Sequence, residues 1–190
     1  MTAAPPDRLL LDQVDSPIGP LDFAFDSDGR LRGLGFDSEG DRSGATGDLV
    51  RAMKREYPQA ALQQGLAPAA AVEALRAYFG GDRSGLERIE WSLDGARSAG
   101  GFQARVWRAL TGVPAGITIS YGEMARRAGD ADAIGLPSAA QATGVALNRN
   151  PIALVLPCHR VVGADGSMTG FGGGLERKTW LLRHEGALLL

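Results

Sequence analysis

Apolar positions change rhythm along the chain. Over residues 9–36 they alternate with polar ones, the two-residue period of half-buried strands, and Asp28-Gly29 marks a turn between the runs Leu21–Phe25 and Leu31–Phe36. Residues 42–47 are polar and glycine-bearing, which predicts a loop. From 48 to 78 the spacing becomes helical, broken into pieces at Pro58 and Pro68. Residues 86–93 predict a further strand, and the Gly, Ser and Ala of 94–101 set a domain boundary between 98 and 99. The first domain, 1–98, therefore reads as α/β with a small antiparallel sheet.

The second domain, 99–190, reads as mainly helical. Phe102, Val106 and Leu110 recur every fourth residue and form one apolar stripe, ended near Gly112 and Pro114. Ser120 and Glu123 have capping-box spacing and open a helix to about Ala128; Ser138 and Gln141 repeat that spacing and open another to about Asn148. Two helices so joined resemble a helix-turn-helix, but the connector over 129–137 exceeds its usual 3–4 residues, so spacing alone favours a pair packed on itself. Ala139, Ala140, Ala142, Gly144 and Ala146 give the second helix a small-residue face that lets its backbone approach another surface closely. Residues 152–156 form a short apolar run, expected as a buried strand, and 176–184 predict a last helix stopped at Gly186.

Composition narrows the classes. With 190 residues, 44% hydrophobic, 22% charged and a net charge of −2, the chain is ordinary globular protein. No apolar run reaches the roughly 18 residues of a membrane helix, and Met1 to Val14 lacks the pattern of a signal peptide, so a soluble cytoplasmic protein is expected. One cysteine forms no internal disulfide, and with two histidines it makes a poor zinc set, so no metal is expected. Residues 1–99 hold 11 Lys+Arg against 16 Asp+Glu, and residues 100–190 hold 9 against 6. An anionic partner would therefore touch the second half.

The chemistry centres on Cys158, which follows an apolar run and Pro157 and precedes His159 and Arg160. A lone intracellular cysteine is ordinarily an inert core residue. A reactive one needs a base or a positive charge beside it, and these two neighbours offer both. Neighbours on an extended segment point apart, so direct Cys158–His159 contact requires a bend or a bridging water. Glu185, at the end of the last helix, is available to orient the imidazole; otherwise it is a solvated helix-end carboxylate. Asn150, before Pro151, serves a turn or bridges the preceding helix and the cysteine segment. Phe171, among Gly166, Gly170 and the glycines at 172–174, is a hydrophobic anchor or a platform for a base. No phosphate-binding or dinucleotide-binding glycine motif is present, so no cofactor is expected.

Pro157-Cys158-His159-Arg160-Val161-Val162, with Asn150-Pro151 upstream and Gly170-Phe171 to Gly174 downstream, resembles the signature of the O6-alkylguanine-DNA alkyltransferase family. The likeness takes in Phe102-Gln103, Val106-Trp107, Ser120-Tyr121-Gly122 and the ending from Trp180 to Gly186, and Ser16 to Leu21 matches a strand opening of the family's first domain. It implies a ribonuclease-H-like first domain and a second domain with a helix-turn-helix-like DNA surface. It also implies a monomer that repairs double-stranded DNA by moving an alkyl group from O6-alkylguanine, with O4-alkylthymine as a second candidate, irreversibly onto Cys158.

In that resemblance His159, oriented by Glu185, takes the thiol proton through a water. Asn150 holds the cysteine segment, and Tyr121 donates a hydrogen bond to the departing guanine. The backbone of Val161 and Gly172 reads the base edges, and Phe171 packs on its face. Gln141, Ala142, Gly144 and Arg160 are the positions expected on DNA.

The chain departs from the family at Gln141, where an arginine normally fills the space of the flipped base, and at Phe171, commonly a tyrosine. The segment between Tyr121 and Gln141 is also longer, with the excess around 132–137. Gln141 has a second reading as a helix cap. Two rival functions remain at this point: a lesion-sensing relative that transfers nothing, and a cysteine hydrolase built on Cys158, His159 and Glu185.

Overall fold

A computed structural model describes residues 4–36, 47–129 and 136–188. The expected loop at 42–47 and the extra residues at 132–137 lie outside them, apart from Gly47 and the backbone of residues 136 and 137. Contacts divide the chain into two units, Met1–Ala99 with Pro151–Val155, and Gly100–Asn150 with Leu156–Leu190. The stretch 99–190, expected as one continuous domain, thus gives up a short segment to the first unit.

In the first unit the strands β1 (Arg8–Val14), β2 (Leu21–Phe25), β3 (Leu31–Phe36) and β4 (Ala61–Gln64) form a sheet in the order β3-β2-β1-β4. The three early strands are antiparallel, as alternation predicts, but β4 runs parallel to β1, so the sheet is mixed rather than antiparallel. Helical spacing over 48–78 hides β4: it is a short edge strand of mostly exposed, polar positions between Pro58 and Pro68, and an edge strand tolerates that pattern. α1 (Gly47–Glu56) packs against β3 and β2, and α2 (Ala69–Phe79) follows β4 in the chain. Leu9, Leu11, Ala24, Leu49, Met53 and Tyr57 form the core of this unit.

Two expected strands are absent. Within 86–93 the chain makes a 3-10 turn over Gly85–Arg88 and then only a single bridge between Leu31 and Trp91. The turn lies so close on α2 that a Cβ at Gly85 would come 2.6 Å from the Ala74 carbonyl oxygen, which leaves no room for extended pairing there. Within 152–156 the Leu34 amide and carbonyl pair with Pro151 and Ala153, but buried Leu154 has φ of +71° and turns the chain away. An apolar run reports burial there, not extension.

The second unit builds a frame around residues 158–162. Ala104, Val106, Trp107 and Leu110 bury one face of α3 (Gly101–Leu110), and the Trp107 indole donates to the Ala146 carbonyl at 2.8 Å. β5 (Ile119–Ser120) pairs in parallel with β6 (Val161–Val162), Ile119 opposite Val161. α4 (Tyr121–Arg127) starts directly after β5, and the Ser120 hydroxyl accepts the Glu123 amide at 3.1 Å, the cap that the spacing predicts. This short ladder therefore sets Tyr121 beside the segment that carries Cys158.

The second predicted cap fails. α5 (Leu136–Asn148) begins before Ser138, with Pro137 in its first turn, where a missing N–H costs little. Ala125 of α4 and Ala139 of α5 are buried against each other, so the pair packs on itself as the spacing suggests. The last helix, α6 (Leu175–His184), buries Lys178, Leu181 and Leu182 and ends at Glu185 and Gly186, whose φ is +76°.

Because the Ser120 cap fixes where α4 begins, Ser120→Ala should cost about 1 kcal/mol in urea unfolding, and Ser120→Asp should cost less. Equal losses in the two variants would mean that the hydroxyl caps nothing.

Candidate functional site

Cys158 opens a 3-10 turn, Cys158–Arg160, that bends the chain between Pro157 and β6. The bend is what the sequence requires if Cys158 and His159 are to work together. Asn150 holds the entrance: its side-chain amide donates to the Leu156 carbonyl at 2.7 Å and also faces the Cys158 sulfur. These two residues are the points where the chain leaves the second unit and returns to it.

Behind the turn lies a fully buried ionic group. Glu185 Oε1 meets His159 Nε2 at 3.1 Å and Arg160 Nη2 at 2.7 Å, and Oε2 accepts from Arg160 Nε at 2.9 Å. The Arg160 guanidinium also donates to the Val113 carbonyl. Burial pushes the Glu185 carboxyl up, but the hydrogen bonds and charges of His159 and Arg160 outweigh it and hold the group well below the usual carboxylate range. Glu185 is therefore ionised, and an anionic acceptor on Nε2 makes that nitrogen the protonated one. Nδ1 is left with its lone pair; it is buried and bonded to no residue of the described chain. Burial also pushes the His159 imidazole down, against the pull of Glu185, so the ring is neutral near pH 7.

Arg160 is a correction. Expected on DNA, it is buried and forked onto Glu185. A planar guanidinium matches a carboxylate bidentately, and neither charge could stay in this interior alone.

The sulfur opens onto a cleft of about 500 Å³ whose lining includes Tyr121, Gln141, Gly144, Phe171 and Gly172. Burial pushes the Cys158 thiol up; the Asn150 amide, the charge of Lys178 and the amides of Cys158 and His159 pull the other way. Tyr121 Oη accepts the Thr169 hydroxyl at 3.2 Å and lies 3.5 Å from the Thr169 carbonyl. The Phe171 ring stands edge-on to His159, centroids 6.4 Å apart. Gln141, sixth residue of α5, is exposed on the cleft and too far into the helix to cap it. Ala142 is half-buried and outside the cleft lining. Val161 is buried, and its carbonyl accepts from Lys178 Nζ at 2.7 Å.

Lys178 is the site residue that sequence reasoning missed. A signal existed: the chain has 18 arginines and only two lysines, and this one stands two helical turns before Glu185 on a face shared with Leu181 and Leu182.

A bent turn with a buried thiol, a neutral histidine behind it and a helix pair beside its cleft defines a cysteine-based, helix-framed site. The family model of the 6-O-methylguanine DNA methyltransferase DNA-binding domain matches residues 101–187. A methylated-DNA–protein-cysteine methyltransferase of Shigella flexneri is 37% identical over 96% of this chain and 99% of its own. One from Mycolicibacterium paratuberculosis is 45% identical over 90% and 89%. The crystal structure of Mycobacterium tuberculosis OGT in complex with DNA is 38% identical, covers 93% of this chain and 92% of that one, and has a TM-score of 0.65. The chain belongs to the methylated-DNA–protein-cysteine methyltransferase family.

The ionic group predicts the course of acid unfolding. His159 is harder to protonate when folded, so its contribution is complete above the free imidazole value near 6.5 and erodes as pH falls below it. Glu185, held down when folded, adds stability above the free carboxylate value near 4.3 that is lost as pH drops further. The melting temperature should be flat from pH 8 to 7 and fall in both lower windows. In His159→Asn the upper decline should vanish; its persistence would assign it to other groups.

Proposed function

We propose that this protein repairs DNA by direct reversal, moving a methyl or larger alkyl group from O6-alkylguanine in double-stranded DNA onto its own Cys158. One observation carries the reading. A buried thiol opens on a cleft within the roughly 300–1,000 Å³ of small-molecule sites, beside a histidine whose far nitrogen is held by an ionised glutamate. The protein acts as a cytoplasmic monomer and needs no cofactor or metal, because the sulfur is itself the acceptor. No helix among the described residues is long and apolar enough to cross a membrane.

The alkylated oxygen is out of reach in a stacked base, so the nucleotide swings out into the cleft at a cost of a few kcal/mol. Phe171 packs on its face while the backbone of Val161 and Gly172 reads its edges. His159 Nδ1 takes the Cys158 proton through a water, and Glu185 stabilises the imidazolium that results. Sulfur then bonds to the alkyl carbon as the carbon–O6 bond breaks. The bonding electrons stay on guanine, steadied by a hydrogen bond from Tyr121, whose hydroxyl has only a long contact to the Thr169 carbonyl to give up. The thioether has no route back, so each molecule acts once.

On the DNA side α4 and α5 serve as the helix-turn-helix-like element of the second domain (99–190), with Gln141, Ala142 and Gly144 toward the duplex. The first domain (1–98) takes the ribonuclease-H-like arrangement; the order β3-β2-β1-β4 with only β4 parallel supports it. O4-alkylthymine is a second candidate substrate.

Mixed with DNA holding one O6-methylguanine per duplex, the protein should gain one methyl mass, on Cys158, and Cys158→Ser should gain none. Repeated turnover would indicate a hydrolase, and binding without mass gain a lesion sensor.

A second test concerns Gln141, the proposed filler of the emptied stack. Gln141→Arg should speed repair of duplex DNA and Gln141→Ala slow it, with little change toward free O6-methylguanine, which needs no flipping. An unchanged duplex-to-free-base ratio in both variants would place the filler elsewhere.

A further inference from the structure

Thr169 stands exposed on the wall of the cleft, and its place is set from two sides. After β6 the chain folds back on itself: the Gly163 amide donates to the Ser167 carbonyl at 2.8 Å, and the Asp165 carboxylate accepts the Ser167 amide at 3.0 Å. From behind, neighbouring residues of α6 hold the next two positions. The Thr179 hydroxyl donates to the Met168 sulfur at 3.4 Å, and Lys178 Nζ donates to the Thr169 carbonyl at 3.1 Å. With its backbone anchored, Thr169 presents its hydroxyl to Tyr121 and donates to Oη at 3.2 Å.

Tyr121 is fixed at its other end. It is the first residue of α4, directly behind the Ser120 cap, and its ring passes α5 at Gly144, where a Cβ would stand 3.8 Å from Tyr121 Cε1. A phenol oxygen has one proton to give and can accept others. Thr169 fills an accepting place on Oη, so the phenol proton points elsewhere. The Thr169 carbonyl lies 3.5 Å away, beyond the roughly 2.5–3.0 Å of an O–H···O bond, and already takes Lys178. The phenol proton is therefore available to what occupies the cleft. In the reverse orientation, with Tyr121 donating to Thr169, a base in the cleft would meet a lone pair instead.

We propose that Thr169 is a positioning residue of the transfer reaction: its hydroxyl, donating to Tyr121 Oη, aims the phenol proton into the cleft and strengthens the hydrogen bond that the departing guanine receives. Hydrogen bonds in series polarise one another, so a hydroxyl that accepts on its oxygen donates better. The gain falls on the transition state, because guanine acquires charge only as the carbon–O6 bond breaks. The phenol keeps its proton, and the bonds made and broken remain those at Cys158 and O6. The proposal rests on the reading of Tyr121 as donor to the leaving base.

The experiment is single-turnover transfer from duplex DNA holding one O6-methylguanine, with protein in excess and the rate constant read from loss of the methyl group from DNA. Thr169→Val keeps the shape without the hydroxyl. It should lower the saturating rate constant about fivefold, the loss that one neutral hydrogen bond corresponds to, and leave the half-saturating protein concentration unchanged. Thr169→Ser restores the donor and should recover most of that rate. In Tyr121→Phe there is no oxygen to receive the proton, so adding Thr169→Val should change the rate constant little.

A wild-type rate constant in Thr169→Val overturns the proposal. So does a Thr169→Ser as slow as Thr169→Val, or an equal loss with and without the Tyr121 hydroxyl, because the wall itself would then be disturbed. Tyr121→Phe at the wild-type rate overturns the reading of Tyr121 and the proposal with it, whereas a slow Tyr121→Phe beside an unaffected Thr169→Val overturns the proposal alone. The rate constant comes only from molecules that react, so partial unfolding does not lower it. Thr169→Ala takes the place of Thr169→Val if the latter shows no folded protein in its melting curve.

Discussion

The buried Glu185 carboxylate is the constraint on which the site depends. An ionised carboxyl inside a protein costs several kcal/mol to desolvate, and only close cationic partners offset that cost. Arg160 supplies two hydrogen bonds from one rigid fork and so fixes the charge on Glu185. With the charge fixed, the proton on His159 must sit on Nε2, and the basic lone pair must sit on Nδ1. Which nitrogen carries the lone pair is thus set on the far side of the imidazole, by a residue with no access to the cleft.

Three local devices bring that group to the cleft. The parallel pair β5–β6 sets the start of α4, and so Tyr121, beside the strand that follows the turn. The Asn150 amide ties the two ends of the excursion Pro151–Val155 together, so the cysteine turn has a fixed origin although its upstream segment belongs to the first unit. The two helical turns between Lys178 and Glu185 put both on one side of α6, where each meets a different part of residues 158–161. Each device is one or two hydrogen bonds long.

The sequence made the chemistry more legible than the topology. Cys158, His159, Asn150, Tyr121 and Phe171 lie in contiguous motifs, and the structure gathers them at one turn and one cleft. What escaped depends on contacts that periodicity does not encode. β4 is strand by virtue of its pairing with β1, not of its own residues, Ala61 to Gln64. The run 152–156 is apolar because it is buried, and Leu154 with its positive φ shows how burial and extension separate. Arg160 reads as a surface cation until Glu185, 25 residues away, claims it. Lys178 was silent for the same reason: a charged residue on a helix is ordinarily solvated, and only tertiary structure puts this one inside.

These buried cations change what the charge balance says about DNA. Residues 100–190 carry nine basic side chains, but Arg160 and Lys178 face inward and cannot meet phosphates, and Arg126 and Arg127 are paired with Glu123. The pairs with Glu123 and Glu185 are already counted in the excess of nine over six, so only the burial of Lys178 takes a charge from it at the surface. Phosphate attraction sets sequence-independent affinity, whereas discrimination comes from contacts with the base itself. Gln141, exposed on the cleft, offers shape and hydrogen bonding there without charge. The two cations placed inside serve the frame of the cysteine turn, Arg160 through Glu185 and Lys178 through the Val161 carbonyl, and discrimination falls to whatever enters the cleft.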